Sequence, residues 1–522
     1  MVSKFGLQRR RSKMRALVTA AEAYPTLERA FLTAETEIWA SFRIFDLSTK
    51  LRSLEARAIG DSWFELMVHT LQRGVAVHMV ITDFDPVAWA EGHRSTWRSM
   101  RQFAAAADLA GPDARLRITP AMHPARTSFL LRLAFWPMIM KKLVGTTKTL
   151  NAMSPDRRET ALRELPGLRQ WIILRDDGKV RPRYGSVPPL CPATHHQKLA
   201  VFDRQHLYIG GLDLNERRYD TPRHDRDSAS TWHDVQIMID GPVVAEAQAH
   251  LESFLDVTAG RAEPVAQKRL LRTISKPRTG VAASIGPKTV CHEILSAHEM
   301  LARRSSDLIY IETQFFRDRK LARTLADIGR SKPKLQIILI LPGAPEDVAF
   351  DGNSGHDARF GEFLQGQALR ILQRGFGKRL FIGAAAQAKE GNQTGGNGRH
   401  LLADAPIIYI HAKVAVFDDT AAIVSSANLN GRSLKWDTEA GVILDAAPDV
   451  VALRRKLMAH WLPDGAGPAF FDRTAAVARW RGLALSNAQR RPSDRQGFVL
   501  PYDIKASESF GQAVPFVPEE LV

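Results

Sequence analysis

The sequence predicts an α/β protein made of two similar sandwiched lobes with one active site at their interface. Three observations predict it. At 522 residues the chain exceeds what one hydrophobic core usually supports. The pattern His-x-Lys-x-x-x-x-Asp occurs twice, as HHQKLAVFD at 195–203 and IHAKVAVFD at 410–418. Each copy is preceded by the same succession of strand, helix and strand, which marks duplicated domains rather than short stacked repeats.

In the first half TEIWASFRIF (36–45) reads as a strand, KLRSLEARAIGDSWFELMVHTLQRG (50–74) as a helix and VAVHMVITDF (75–84) as a buried strand. The second half repeats that order with DLIYIETQFF (307–316), the helical RKLARTLADIGRS (319–331) and LQIILILPG (335–343). Each half then reaches its motif strand, a short turn, a second strand and a closing helix, at 245–258 and at 447–462. The expected organisation is a basic N-terminal arm (1–30), a first catalytic lobe (31–260) holding the motif at 196–203, and a polar, Pro-containing linker (261–280). A second lobe (281–465) follows with the motif at 411–418, then a C-terminal extension (466–522) that wraps the surface. KEGNQTGGNGRH (389–400) has the Gly and Asn content of a mobile loop.

Hydrophobic residues at 45% and charged residues at 25% exclude a largely disordered or fibrous chain. A net charge of +16 sets up a positive field that attracts nucleic acid, lipid headgroups or phosphorylated small molecules. The basic cluster KFGLQRRRSKMR (4–15) reads as a solvated terminus or a surface-binding arm. Two cysteines, Cys191 and Cys291, suggest neither a disulfide framework nor a zinc site, and fit a reducing compartment. No secretory leader and no apolar run of about 18 residues is visible, so a cytoplasmic or peripheral membrane location is expected, with signal-independent export left open.

In a strand, residues i and i+2 share a face, so His196 projects with Lys198 and His411 with Lys413. The runs LAVF and VAVF between Lys and Asp are apolar, as in central strands covered on both faces. Asp203 and Asp418 begin turns and read as structural, their carboxylates holding amides. The following strands carry Ser426 and Asn428 in the second half and, at matching positions, Gly211 and Asp213 in the first. Asn428 and the Gly210–Gly211 backbone are candidates for holding phosphate oxygens. An acid follows in each half, Asp234 in WHD and Glu439 in DTE; either could fix an imidazole tautomer, but the sequence leaves open which histidine each serves. If the halves pair about a pseudo-twofold axis, two His and two Lys converge. One neutral imidazole can then attack phosphorus while the other, protonated, releases the leaving alcohol.

Together HHQKLAVFDRQHLYIGGLDLNERRYD, WHD, IYIETQFF, IYIHAKVAVFDDTAAIVSSANLNGRS and DTE resemble, in order, the motifs of the phospholipase D superfamily, closest to its phosphatidylcholine-hydrolysing type. The resemblance covers about residues 30 to 465. It implies the bilobal fold, chemistry without metal or cofactor, and hydrolysis of phosphatidylcholine or a similar glycerophospholipid to phosphatidic acid and free headgroup. A phosphohistidine intermediate and transphosphatidylation of alcohols are part of what it implies. By the same analogy His196 is the nucleophile and His411 the acid/base, with Glu312 and Gln314 of IETQFF lining a headgroup pocket or serving the structure. The expected partner is a phospholipid at a membrane surface, with no obligate protein partner, no nucleic acid and a monomeric chain.

SFLLRLAFWPMIMKKLVG (128–145), apolar and aromatic with Arg132, Lys141 and Lys142, has the composition of an interfacial element or of an ordinary lobe cap. Competing readings are a nuclease of the same superfamily, a cardiolipin synthase-like phosphatidyltransferase, and a non-enzymatic protein docking on anionic membranes. The last has no need of paired histidines.

Overall fold

The computed structural model describes residues 14–280, 284–391, 398–515 and 517–522. The first lobe is a seven-stranded sheet of β1 (Met14–Val18), β2 (Glu37–Phe42), β3 (Ala76–Thr82), β4 (Leu116–Ala121), β5 (Leu199–Phe202), β6 (His206–Gly210) and β7 (Val235–Asp240), in the order β1-β7-β6-β5-β2-β3-β4. The second is a nine-stranded sheet of β8 (Leu270–Lys276), β9 (Lys288–His292), β10 (Leu308–Thr313), β11 (Gln336–Leu341), β12 (Leu380–Ala385), β13 (Lys413–Phe417), β14 (Ala421–Ser425), β15 (Glu439–Leu444) and β16 (Val499–Pro501). Its order is β9-β8-β15-β14-β13-β10-β11-β12-β16.

The duplication is therefore topological. The run β7-β6-β5-β2-β3-β4 matches β15-β14-β13-β10-β11-β12 strand for strand. Directions match too: β2 is parallel to β3 and antiparallel to β5, as β10 is to β11 and β13.

The helices that matter below are α1 (Ala20–Thr33), α2 (Trp63–Gln72), α3 (Ala90–Ala110), α4 (Phe129–Ala134), α5 (Trp136–Asn151), α6 (Pro242–Thr258), α7 (Glu293–Arg304), α8 (Arg319–Ser331), α9 (His356–Phe376), α10 (Ala447–Trp461) and α11 (Ala476–Ala488). The two sheets pack face to face over a shared core, and the alternation of the motif strands builds it. Leu199 and Val201 of β5 meet Val414 and Val416 of β13 in that core. Ala200 and Phe202 point the other way into a cluster with α1, α2 and α3, and Ala415 and Phe417 into one with α7, α8 and α9. Both motif strands are thus buried on both faces, as their unbroken apolar runs require.

Several boundaries differ from the sequence expectation. The segment 50–74 is not one helix. A turn of helix at Leu54–Arg57 ends before Gly60, and α2 starts afresh at a capping box in which Glu65 accepts from the Ser62 amide. Residues 14–30 are not an arm: β1 pairs with β7, and α1 packs Tyr24, Leu27 and Phe31 into the core. Residues 1–13, which carry most of the basic cluster, lie outside the described residues, as do 392–397 of the loop expected to be mobile. The expected linker contains β8, paired with both β9 and β15. The C-terminal extension does not merely wrap the surface. Its β16 edges the second sheet, and α11 buries Trp480 fully. Alanines carry much of that helix's buried face, which left little apolar periodicity to read.

Candidate active site

The lobes are stitched together by backbone at the two motifs. The His196 amide donates to the Thr438 carbonyl at 2.8 Å, and the His411 amide donates to the His233 carbonyl at 2.7 Å. Thr438 precedes Glu439 and His233 precedes Asp234, so the two contacts are equivalent under a pseudo-twofold operation. This pairing decides which acid serves which imidazole. His196 Nδ1 lies 2.9 Å from Glu439 Oε1, and His411 Nδ1 lies 2.6 Å from Asp234 Oδ2. Each histidine is oriented by the opposite lobe's carboxylate, so neither lobe alone holds a complete His–acid pair.

With Nδ1 committed, Nε2 of each ring is the atom left for chemistry, and both histidines line one cleft of about 590 Å³. Burial, reinforced by Lys198 for His196 and by Lys413 for His411, holds both imidazoles well below their usual pKa. Burial pushes the carboxyls the other way, Asp234 up to about 7 and Glu439 up to about 8. It also lowers the lysines, Lys413 to about 7 and Lys198 to about 8, with Asp234 and Asp213 respectively opposing the shift. Perturbed ionisable groups converging on one cleft mark it as the candidate functional site.

The lysines are held from behind. Lys198 Nζ donates to the His196 carbonyl and stands 3.6 Å from Asp213 Oδ2, while Lys413 Nζ donates to Gln314 Oε1 at 3.3 Å and lies 2.9 Å from His411 Nδ1. Asn428 reaches the cleft with an Oδ1 that has no protein partner, and Gln314 lines the same wall, donating to the Tyr409 hydroxyl at 2.8 Å.

Other expected contributors stand behind the cleft. The Gly211 amide donates to the Val235 carbonyl and the Gly210 amide to the Lys198 carbonyl, so neither is free to hold phosphate. Both glycines are there for space: a Cβ on Gly211 would come within 2.3 Å of Asp234 Oδ1, and one on Gly210 within 2.4 Å of the Val235 carbonyl. Asp213 is buried beneath Lys198, ion-paired with Arg218 and accepting from the Arg43 and Ile44 amides. Ser426 is buried and donates to Glu439. Glu312 is fully buried away from the cleft, accepting from Tyr310 at 2.6 Å, Trp461 at 2.9 Å and His233 at 2.7 Å.

Asp203 and Asp418 hold amides, though not those of their own turns. Asp203 accepts from the Glu35, Thr36 and Glu37 amides that open β2, and Asp418 from the Ser306, Asp307 and Leu308 amides that open β10. Each ties its motif strand to the neighbouring strand.

Sequence reasoning missed the cationic and aromatic wall. Arg43, Arg218, Arg317 and Arg432 line the cleft with Trp89, Trp232 and Tyr409. Arg43 is half-buried over the Phe84 and Trp89 rings with Nε unpartnered, and desolvation lowers its pKa to about 10. Trp232 packs on His411 with ring centroids 4.5 Å apart. A signal for Arg432 was present, since LNER at 214–217 and LNGR at 429–432 are another repeated element. Arg43 carried none, being one of 72 Lys and Arg residues.

Against known proteins, residues 299–461 match the family described as "Cardiolipin synthase, PLD-like domain". Phospholipase D1 of Schizosaccharomyces pombe is 22% identical over 337 residues, 46% of this chain and 24% of that protein. Phospholipase D alpha 1 of Brassica oleracea var. capitata is 21% identical over 356 residues, 46% of this chain and 44% of that protein. The doubled motif and these matches agree. The chain is similar to the phospholipase D superfamily. It spans less than half the length of either relative. A crystal structure of phosphatidylserine synthase from Haemophilus influenzae Rd KW20 superposes with a TM-score of 0.47 at 13% identity, covering 86% of this chain and 85% of that one.

Proposed function

We propose that this protein is a phospholipase D that hydrolyses the distal phosphodiester of phosphatidylcholine or a similar glycerophospholipid. The products are phosphatidic acid and free headgroup. Alcohols compete with water as acceptors. The observation that carries this reading is the pair of histidines opening on one cleft, each oriented by the opposite lobe's acid.

In the first step His196 Nε2 attacks phosphorus and the bond from phosphorus to the headgroup oxygen breaks. Glu439 stabilises the cation that forms on the His196 ring; the bound phosphodiester's negative charge offsets the lysines that depress the free imidazole, so His411 takes up a proton and gives it from Nε2 to the departing oxygen. In the second step neutral His411 takes a proton from water or an alcohol, whose oxygen displaces His196. Lys198, Lys413 and the Nδ2 amide of Asn428 would hold the non-bridging oxygens, where charge builds up in the transition state. Trp89, Trp232 and Phe315, with Glu346, Asp347, Asp351 and Asp357, line the same cleft and suit a cationic headgroup.

Access to a bilayer falls to the helical insertion. Phe129, Leu130 and Leu133 of α4 and Met138 of α5 are 55%, 56%, 44% and 50% exposed, with Arg132 among them. Such a patch suits partial insertion among headgroups. No helix among the described residues is long and apolar enough to cross a membrane. Phosphatidyl transfer to a lipid alcohol is the second reading, favoured by the family description that matches 299–461.

Incubation with phosphatidylcholine vesicles, chelator and dilute ethanol should yield phosphatidic acid and phosphatidylethanol by mass spectrometry. Triple replacement of Phe129, Leu130 and Leu133 by Ser should slow vesicle turnover while sparing a soluble short-chain substrate. No lipid product with any headgroup tried would overturn the phospholipase reading and turn attention to DNA.

The pH profile follows from the lysines. A lysine of lowered pKa loses its charge as pH rises through the new value, so Lys413 is discharged through about 7 and Lys198 through about 8. kcat/KM should therefore fall on the alkaline side of those values, with KM rising. A profile flat to pH ~10, the ordinary lysine range, would contradict this.

A further inference from the structure

We propose that His224, His233 and His460 form a binding site for a divalent transition metal of the zinc type, clipping the two lobes together behind the catalytic cleft. One ring nitrogen from each lies within 4.8 Å of the others. His224 and His233 come from the first lobe, and His460 from the end of α10 in the second.

The ring nitrogens converge. His224 Nδ1 lies 2.7 Å from Asp220 Oδ2, and its Nε2 shares a hydrogen bond of 2.9 Å with His460 Nε2, a contact whose proton a metal ion would displace. His233 Nε2 lies 2.7 Å from Glu312 Oε2, which leaves Nδ1. That Nδ1 belongs to a side chain with no solvent exposure, and it has no hydrogen-bond partner. An orphaned buried nitrogen costs free energy that a metal bond would offset.

The surroundings are those of a metal site. Carboxylates fix the far nitrogen of two of the three rings, the usual outer partners that set a ligating imidazole's tautomer. Trp461 and Phe498 pack around the rings and limit water. His224 is held at φ +49, in the left-handed region, a local cost consistent with a functional constraint on the ring's placement. Two ligands at 2.0–2.1 Å from a tetrahedral ion stand about 3.3 Å apart, so modest ring movements close the set. Three imidazoles without thiolate suit Zn²⁺, Co²⁺, Ni²⁺ or Cu²⁺ rather than Mg²⁺ or Ca²⁺.

The site would act structurally. His233 is adjacent to Asp234, and its carbonyl accepts from the His411 amide, so fixing its ring steadies one of the two interlobe contacts. It takes no part in the metal-free chemistry above.

The test uses tag-free full-length protein, dialysed against chelator and titrated with Zn²⁺, with Co²⁺ as a visible-absorption probe. Wild type should retain about one equivalent of metal and show tetrahedral Co²⁺ bands. His460→Ala, in a half-buried ring at a helix end, should abolish the bands, with His460→Gln as a second variant. Asp220→Asn should weaken binding ~10–100-fold. Wild-type binding below about a tenth of an equivalent, or binding unchanged in both His460 variants, would overturn the proposal.

Discussion

Replacing His196 with alanine should lower turnover of phosphatidylcholine by about 10⁴-fold or more, because the atom that bonds to phosphorus is gone. His411→Ala should cost ~10²–10⁴-fold, the usual range for one positioned acid/base. The two variants separate on a substrate whose leaving group needs no proton. With a nitrophenyl ester of phosphocholine or phosphatidic acid, His411→Ala should recover most of the rate of the first step and accumulate covalent enzyme. His196→Ala should recover nothing. Equal losses for both variants on both substrates would mean that neither histidine has the role given to it.

The crossed pairing makes the second prediction. Asp234 lies in the first lobe but faces His411 of the second, so Asp234→Asn should behave as a weakened His411→Ala, regaining rate with the activated ester. Glu439→Gln should behave as a weakened His196→Ala and regain none. Asp234→Asn should lower kcat by about 10²-fold and Glu439→Gln by about 10³-fold, in each case less than the loss of the histidine it orients, since an amide in place of the orienting carboxylate favours the wrong tautomer and withdraws charge from the imidazolium. Melting temperatures should change little, because both substitutions keep shape in sites where burial already disfavours the carboxylate. Rescue of Glu439→Gln, and not of Asp234→Asn, by the activated ester would show that the pairs are not crossed.

What the sequence made legible was local and repetitive. Strand period and unbroken apolar runs placed β2, β3, β5, β10, β11 and β13, because burial on both faces leaves a composition signal. The His and Lys pairs were readable because they recur in register. What depends on how two distant segments meet was not readable. The assignment of Asp234 to His411 rests on the backbone bond between residues 233 and 411. The roles of Gly210 and Gly211 depend on Gln236 and Asp234 of the next segment, which take the space a Cβ would need. Glu312 shares strand parity with Gln314, yet one is sealed beneath Tyr310 and Trp461 while the other reaches the cleft beyond the end of β10. The strand β8 was hidden in a basic, Pro-containing stretch because its Arg272 is tied to Glu293 rather than facing solvent.

The measurement that bears most directly on the central claim is identification of the covalent intermediate. His411→Ala would be mixed with the nitrophenyl ester, quenched in base to preserve an acid-labile phosphohistidine, digested and mapped by mass spectrometry. A phosphatidyl or phosphoryl adduct on the peptide containing His196, absent from His196→Ala, is the predicted result. An adduct elsewhere, or turnover with no adduct at any time point, would contradict the account.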